Sequence, residues 1–390
     1  MKIAIIEICE KSHYMVSNAL AKSYLSDPKN EVFMYTTSEI CALLKEQSGN
    51  SDKLHFVVMK PDESAGEFIQ SMHQFAPDRI HLATVTRYFK AFYRFDPKPG
   101  CKMYFHFHNI ELWFVPALTT QLRRLRAVFA NGLGGVKIVR QLKYSLKDVL
   151  RDFYRKKLIR KLIDKHAEFI ILSEAQRFHL SQYTDASKAI IFPSLVFESD
   201  LYREFPSDSQ KIRLCVPGSV AQGRREYYKL FDIFSANLEY YKEHYTIDLL
   251  GFLPEDQTDL KAQILDLKQR GLDILFYDHF IDVNAFDENL YRSDILLSNI
   301  FLEEGTGIQN KETATVFHMV RGAKPGIFPS AFTLDGDFEA SVVKFNGYDS
   351  LHGLLIELNS NRVMLSELKN NALKLAKSYA PAALLKRLIN

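Results

Sequence analysis

Two glutamates, Glu304 and Glu312, bracket a seven-residue segment that contains Thr306, Gly307, Ile308 and Gln309 and follows the apolar run 294–300. A small-residue loop that opens a helix turns backbone N–H groups toward an anion such as a diphosphate, and flanking acids can accept hydrogen bonds from hydroxyls. A second segment joins a β-rich run, Ile212 to Val216, to a turn at Gly218 and Ser219 and then to Arg224 and Arg225. Arginine offers a planar fork that pairs with phosphate, where negative charge builds on a departing group. A third segment, Phe105, His106, Phe107, His108 and Asn109, closes another β-rich run. Imidazole can hydrogen-bond a substrate hydroxyl near neutral pH. Alternation places His106 and His108 on one strand face, serving either a site or the core, with His108 the first choice for the site.

These segments need a frame. Lys2 to Ile8, Glu31 to Thr36, Leu54 to Met59, Arg79 to Val85 and Lys102 to Phe107 read as strands, with helical spacing over His13 to Leu25 and Gly66 to Phe75. Tyr144 to His166 reads as a long amphipathic helix, and Ser173 as the cap of the helix that follows the strand at Phe169. The polar, irregular stretch from Pro193 to Gln210 marks a boundary, after which strands and helices alternate again from Ile212. Strands alternating with helices predict parallel sheets. The predicted fold class is therefore α/β, with Rossmann-like doubly wound domains at 1–205 and 206–365 and a helical segment, 366–390, that packs back on the first. A chain of 390 residues is long enough for two cores.

The order of the segments resembles that of retaining GT-B glycosyltransferases, the family 4-like or group 1 type. Beside the two-glutamate motif and the glycine turn, Pro77 and Asp78 resemble the family's strand entry and Ser173 with Glu174 its Ser-Glu turn. Segments 248–251 and 290–295 also sit where related ones are found. The resemblance implies two Rossmann-like domains facing a cleft. It implies that Glu304 contacts the donor hexose, that Glu312 holds the nucleotide ribose, and that the backbone from Thr306 to Gln309 takes the donor sugar and phosphates. Gly218, Ser219 and Arg224 or Arg225 would complete the donor side. His108, His106, Asn109, Ser12 and His13 are the acceptor-side candidates. The family usually carries a separated arginine and lysine-glycine pair, and paired glycines in its first turn. Neither is present here. The implied reaction is hexosyl transfer with retention from a nucleotide-sugar to a glycan or lipid-linked acceptor, in surface polysaccharide or glycolipid synthesis. A non-catalytic sugar-nucleotide or glycan-binding protein of the same fold, and an epimerase or phosphorylase, are the competing readings.

No cofactor is expected, the nucleotide-sugar being a substrate, and no metal: Asp335 and Asp337 read as a plain turn rather than a metal pair. The cysteines Cys9, Cys41, Cys101 and Cys215 lack ligand or redox spacing and read as reduced. Gly132, Gly134 and Gly135 lack dinucleotide-binding spacing and read as a loop. The net charge of +3 hides an asymmetry, because residues 121–166 hold 14 Lys or Arg against three Asp, a local +11, leaving −8 elsewhere. That basic stretch is a candidate docking surface for an anionic membrane leaflet. Without a recognition motif it is not read as binding nucleic acid. Apolar runs fall far short of the roughly 20 residues that span a bilayer, and Glu7 interrupts the N-terminal run, so the chain is expected in the cytoplasm or on the membrane's inner face.

Overall fold

The computed structural model describes residues 1–48, 51–115, 151–192, 196–205, 210–222, 225–300 and 313–389. The chain forms two compact units, one of Met1–Ser194 with Leu385–Asn390 and one of Leu195–Leu384.

The first unit holds a seven-stranded sheet of β1 (Lys2–Glu7), β2 (Glu31–Thr36), β3 (Leu54–Val58), β4 (Arg79–Leu82), β5 (Lys102–His106), β6 (Glu168–Ile171) and β7 (Ile190–Ile191). Its order is β3-β2-β1-β4-β5-β6-β7, with every pairing parallel. A parallel sheet is covered on both faces, which is why β1 is a near-continuous apolar run buried from Ile3 to Glu7. Helix Tyr14–Leu25 buries Val16, Leu20 and Tyr24. A reciprocal cap between Ser64 and Glu67 starts helix Ala65–Gln70, which passes into a tighter turn at Ser71–Gln74.

Of the expected amphipathic helix, residues 151–164 are helical, with Leu158, Ile159 and Leu162 in the core. Several of its basic groups are used internally. Arg155 pairs with Asp152, and Lys161 donates to the carbonyls of Tyr93 (2.6 Å) and Phe95 (2.7 Å). Arg151, Lys157, Arg160 and Lys165 lie on the exposed face with Phe153. Arg79 donates to the Tyr104 hydroxyl (2.8 Å) and to the carbonyl of Leu388 (2.5 Å), tying residues 385–390 to β4 and β5.

The second unit holds β8 (Ile212–Cys215), β9 (Tyr245–Phe252), β10 (Ile274–Tyr277), β11 (Ile295–Leu297), β12 (Gly326–Pro329) and β13 (Val342–Phe345), in the order β10-β9-β8-β11-β12-β13 and again all parallel. The single helix expected over Glu226 to Tyr241 is two, Tyr227–Ala236 and Leu238–His244. Asn237 breaks it, leaving the helical region at φ −125°, ψ 36° while its side chain donates to the Ile233 carbonyl (3.0 Å). Phe234, Tyr241 and Tyr245 pack where the two pieces meet the sheet. Asp335 precedes a 3-10 helix at Gly336–Ser341 in place of the plain turn. All four cysteines are free. Among the described residues, no helix is long and apolar enough to cross a membrane.

Both sheets reverse strand order once, between β1 and β4 and between β8 and β11. In open parallel sheets such a reversal splits the connections to opposite faces and opens a crevice at the strands' carboxyl ends.

Candidate functional site

At the first reversal, β1 ends on Glu7 and β4 runs into Ala83 and Thr84. Glu7 is fully buried. One carboxylate oxygen, Oε1, accepts the backbone N–H groups of Cys9 and Glu10, both at 3.1 Å, while Oε2 has no hydrogen-bond partner among the described residues. Burial pushes its pKa up to about 7, against the opposing pull of the Thr84 hydroxyl and those two N–H groups. Thr84 Oγ1 lies 3.3 Å from His13 Nδ1 and 3.3 Å from His108 Nε2. The two imidazoles stack, with centroids 4.4 Å apart and planes 12° from parallel. His108 Nε2 also donates to the Ala83 carbonyl at 2.8 Å. Burial, then His13, holds the His108 pKa down at about 4, and burial lowers that of His13. A carboxyl that changes charge near neutrality beside two neutral imidazoles is equipped to move a proton.

His106 lies elsewhere. Its Nε2 is 3.1 Å from His81 Nδ1, and His81 Nε2 is 2.8 Å from the Tyr24 hydroxyl. His81 stacks flat on Tyr104 at 4.4 Å. Burial drives both pKa values down, that of His81 to about 3 and that of His106 well below the usual range. The strand therefore separates the two histidines: His106 joins a buried polar array and His108 reaches the edge. Asn109 uses Oδ1 to accept the Leu112 N–H (3.3 Å) at a short helix, and His13 ends the 3-10 turn Lys11–His13 that contains Ser12.

At the second reversal, Gly218 adopts φ +105°, a left-handed conformation suited to glycine. Its N–H donates to the Leu250 carbonyl (2.9 Å), and its own carbonyl lies against Gly251. Arg225 is buried with its guanidinium against the Gly218 α-carbon, and Nη1 donates to Asn299 Oδ1 at 3.2 Å. Asn299 follows β11 with Ser298. Around this point several fully buried polar atoms lack partners among the described residues: Ser298 Oγ, Asn299 Nδ2 and the Tyr227 hydroxyl. His318, on helix Ala314–Gly322, likewise has an unpartnered Nδ1, and burial lowers its pKa to about 3. Unpaired buried donors carry a desolvation cost that a polar ligand would remove. The start of helix Tyr227–Ala236 is already occupied, since Gln222 Oε1 accepts the N–H groups of Tyr227 (2.8 Å) and Tyr228 (3.1 Å). Ser219 lies half-buried in the turn after Gly218.

Glu304, Thr306, Gly307, Ile308, Gln309, Glu312 and Arg224 lie outside the described residues, as do the glycines at 132, 134 and 135. The helix after the two-glutamate segment starts at Ala314, where the Thr313 hydroxyl accepts the Thr315 N–H (3.4 Å). Sequence reasoning missed Glu7, Thr84, Tyr227, Ser298, Asn299 and His318. The available signal was polarity at the end of an apolar strand, as with Glu7 after Ile6 and Ser298 with Asn299 after Leu297.

No family model matches the chain, and no curated protein matches it in sequence. Solved structures do. Anabaena HepE in complex with UDP and glucose is 16% identical with a TM-score of 0.57, covering 100% of this chain and 98% of that one. A glycosyltransferase from Rickettsia africae is 13% identical with a TM-score of 0.59, covering 100% and 96%. The UDP-GlcNAc 2-epimerase of Neisseria meningitidis, bound to UDP-GlcNAc, is 12% identical with a TM-score of 0.55, covering 100% and 98%. Together with the two singly reversed parallel sheets, these likenesses show that the chain has the GT-B fold of two Rossmann-like domains.

Proposed function

We propose that this protein is a glycosyltransferase that moves a sugar from a nucleoside-diphosphate sugar to a hydroxyl of a glycan or lipid-linked acceptor. The observation that carries the reading is the group of buried donors that have no partner among the described residues, Ser298, Asn299 and Tyr227, beside Arg225 at the second unit's strand reversal. A ribose or phosphate would supply the acceptors they lack. HepE, similar in fold, is described with UDP-glucose. In this reading the second unit holds the donor, with Glu304, Glu312 and residues 306–309 completing it, and the first unit offers the acceptor edge. Retention follows the family resemblance. No metal or cofactor is assigned a role. The exposed basic face around Arg160 would bring the enzyme to an anionic leaflet carrying a lipid-linked acceptor.

A second reading, epimerisation of the sugar-nucleotide, is favoured by one feature: Glu7 changes protonation near pH 7 beside two imidazoles, as proton abstraction from carbon requires. The test begins with thermal shift against a panel of nucleoside diphosphates and their sugars. A selective rise that Glu312→Ala abolishes supports the donor site. Incubation with the selected sugar-nucleotide, with and without acceptors, then separates transfer from isomerisation. If no nucleotide raises the midpoint, both enzymatic readings fail in favour of a glycan-binding protein.

A further inference from the structure

A groove in the second unit lies outside the cluster of buried donors. Its volume is about 300 Å³, at the small end of the range for a ligand site. One wall is a single stripe of helix Val283–Arg292, where Asn284, Asp287, Glu288 and Tyr291 follow one another at helical spacing and so share a face. The other wall is a segment ahead of β8 that brings its alternate residues Leu201, Arg203 and Phe205 to the groove. Both walls belong to the second unit. The helix ends at Arg292, just before β11 starts at Ile295, whereas Ser298 and Asn299 follow the other end of that strand. The groove therefore extends toward the opposite edge of the sheet from the proposed donor site.

The polar side chains of the groove are held in place by bonds that leave capacity to spare. Arg321 donates to Asp287 Oδ2 and Arg292 to Glu288 Oε1, each at 2.5 Å. A carboxylate offers about four acceptor positions, so both acids can still receive hydroxyl hydrogens. Arg203 Nη1 donates to the carbonyls of Asp200 (2.9 Å) and Tyr202 (3.1 Å), which fixes the plane of its fork. The aromatic wall is braced as well: the Arg292 guanidinium sits 5.2 Å from the Phe205 ring centre, and Tyr202 meets Tyr291 edge-on at 5.9 Å. An anion here would face two carboxylates, and the N–H groups of Asn284 and Ala285 that could hold it go instead to Asp282 Oδ1, both at 3.0 Å. A cation would meet Arg203 and find both acids already neutralised. Preset acceptors, an amide and an apolar ring suit a neutral molecule with many hydroxyls and an apolar C–H face, which describes a sugar ring.

We infer that this groove is a saccharide-binding site separate from the donor site, in which a neutral glycan unit packs its C–H face on Phe205 and Tyr291 and donates hydroxyls to Asp287, Glu288 and Asn284. Leu201 is 50% and Phe205 37% exposed, so the groove is open along one side and can take a unit within a longer chain. The site keeps a glycan on the protein without performing chemistry on it. It goes beyond the transferase reading and does not depend on it, since a non-catalytic glycan-binding protein could use it equally.

Saturation-transfer NMR of the full chain with maltotriose, cellotriose, chitotriose and mannotriose, each with and without saturating UDP, tests the assignment. At least one trisaccharide is expected to receive saturation, to keep it in the presence of UDP, and to bind at least about fivefold more weakly in both Phe205→Ala and Asn284→Ala. Both side chains are exposed, and thermal midpoints matching the parent's show that the variants are folded. Saturation of none of the four sugars, or unchanged affinity in either variant, overturns the proposal. A signal abolished by UDP places the sugar in the donor site and overturns it too, as does displacement of the sugar by an equal concentration of inorganic phosphate or spermidine, which marks a site for a charged ligand. The readout is binding to the groove, so its failure leaves the nucleotide-induced thermal shift standing, and a protein that binds no nucleotide can still show the groove occupied.

Discussion

A side-chain carbon placed on Gly251 would stand 2.1 Å from the carbonyl oxygen of Gly218. That is far inside van der Waals contact, and the obstacle is backbone that cannot turn aside. Two neighbouring strands thus meet through bare backbone at the point where the chain leaves β8. Gly251→Ala should push the Gly218 turn off its position and displace Arg225, whose guanidinium rests on it. We expect a loss of about 2–3 kcal/mol in urea unfolding and a nucleotide-induced thermal shift reduced to below half that of the parent. A variant of parental stability would show that the turn can move freely.

Asp248 is buried on β9, and neither carboxylate oxygen has a partner among the described residues. Burial outweighs the opposing charge of Arg213 and raises its pKa to about 7. The folded state therefore holds this proton more tightly than the unfolded chain does. The stability linked to it is present below the ordinary carboxylate range and is lost as pH rises through about 7. Asp248→Asn should change little at pH 4 and stabilise by roughly 2–4 kcal/mol at pH 8. Denaturant titrations at the two pH values give the comparison, and an equal effect at both would refute the assignment.

The histidines of the first unit carry the opposite sign. His81, His106 and His108 are all held below their ordinary value, chiefly by burial. The stability they contribute is complete above about pH 6.5 and is lost as pH falls through their folded values, near 4 for His108 and 3 for His81. Glu7, whose pKa burial raises, opposes this. Hydrogen exchange should show β1, β4 and β5 losing protection between pH 7 and 4.5 before β8 and β9 do. Simultaneous loss would show that the array does not govern acid sensitivity.

For the basic helix, Lys157→Glu with Arg160→Glu removes two exposed cations without touching Lys161 or the Arg155–Asp152 pair. At about 1 kcal/mol for each cation near an anionic surface, vesicle binding at low salt should weaken by at least 25-fold. Parental binding in the double variant would exclude this face as the dock.

The alternation of apolar strands and helices made both sheets readable, because a parallel sheet buried on two faces leaves long apolar runs such as Ile3 to Ile6. β13 escaped because Val342 to Phe345 is short and half-buried, and the break at Asn237 escaped because one side-chain bond overrides a helical pattern. His106 and His108 were visible as a pair, but alternation gives a face and not a depth. Only the register of β5 against β4 and β6 buries one and leaves the other at the edge. Glu7 was visible only as an interruption of an apolar run. The Thr84–His13 contact at the same reversal joins residues 71 positions apart, and no local pattern joins residues across a strand reversal.

The first unit is not finished when residue 194 has been made. Arg79, buried between β4 and β5, gives one of its hydrogen bonds to the carbonyl of Leu388, so the guanidinium waits for an acceptor through the synthesis of the whole second unit. At roughly 5–20 residues per second that wait lasts about 10–40 s, during which an arginine beside Tyr104 must be hydrated or shielded. The last turn of helix Pro381–Ile389 therefore acts as a clasp on a half-built sheet. The residues of the second unit are thus all translated before the first unit can be sealed.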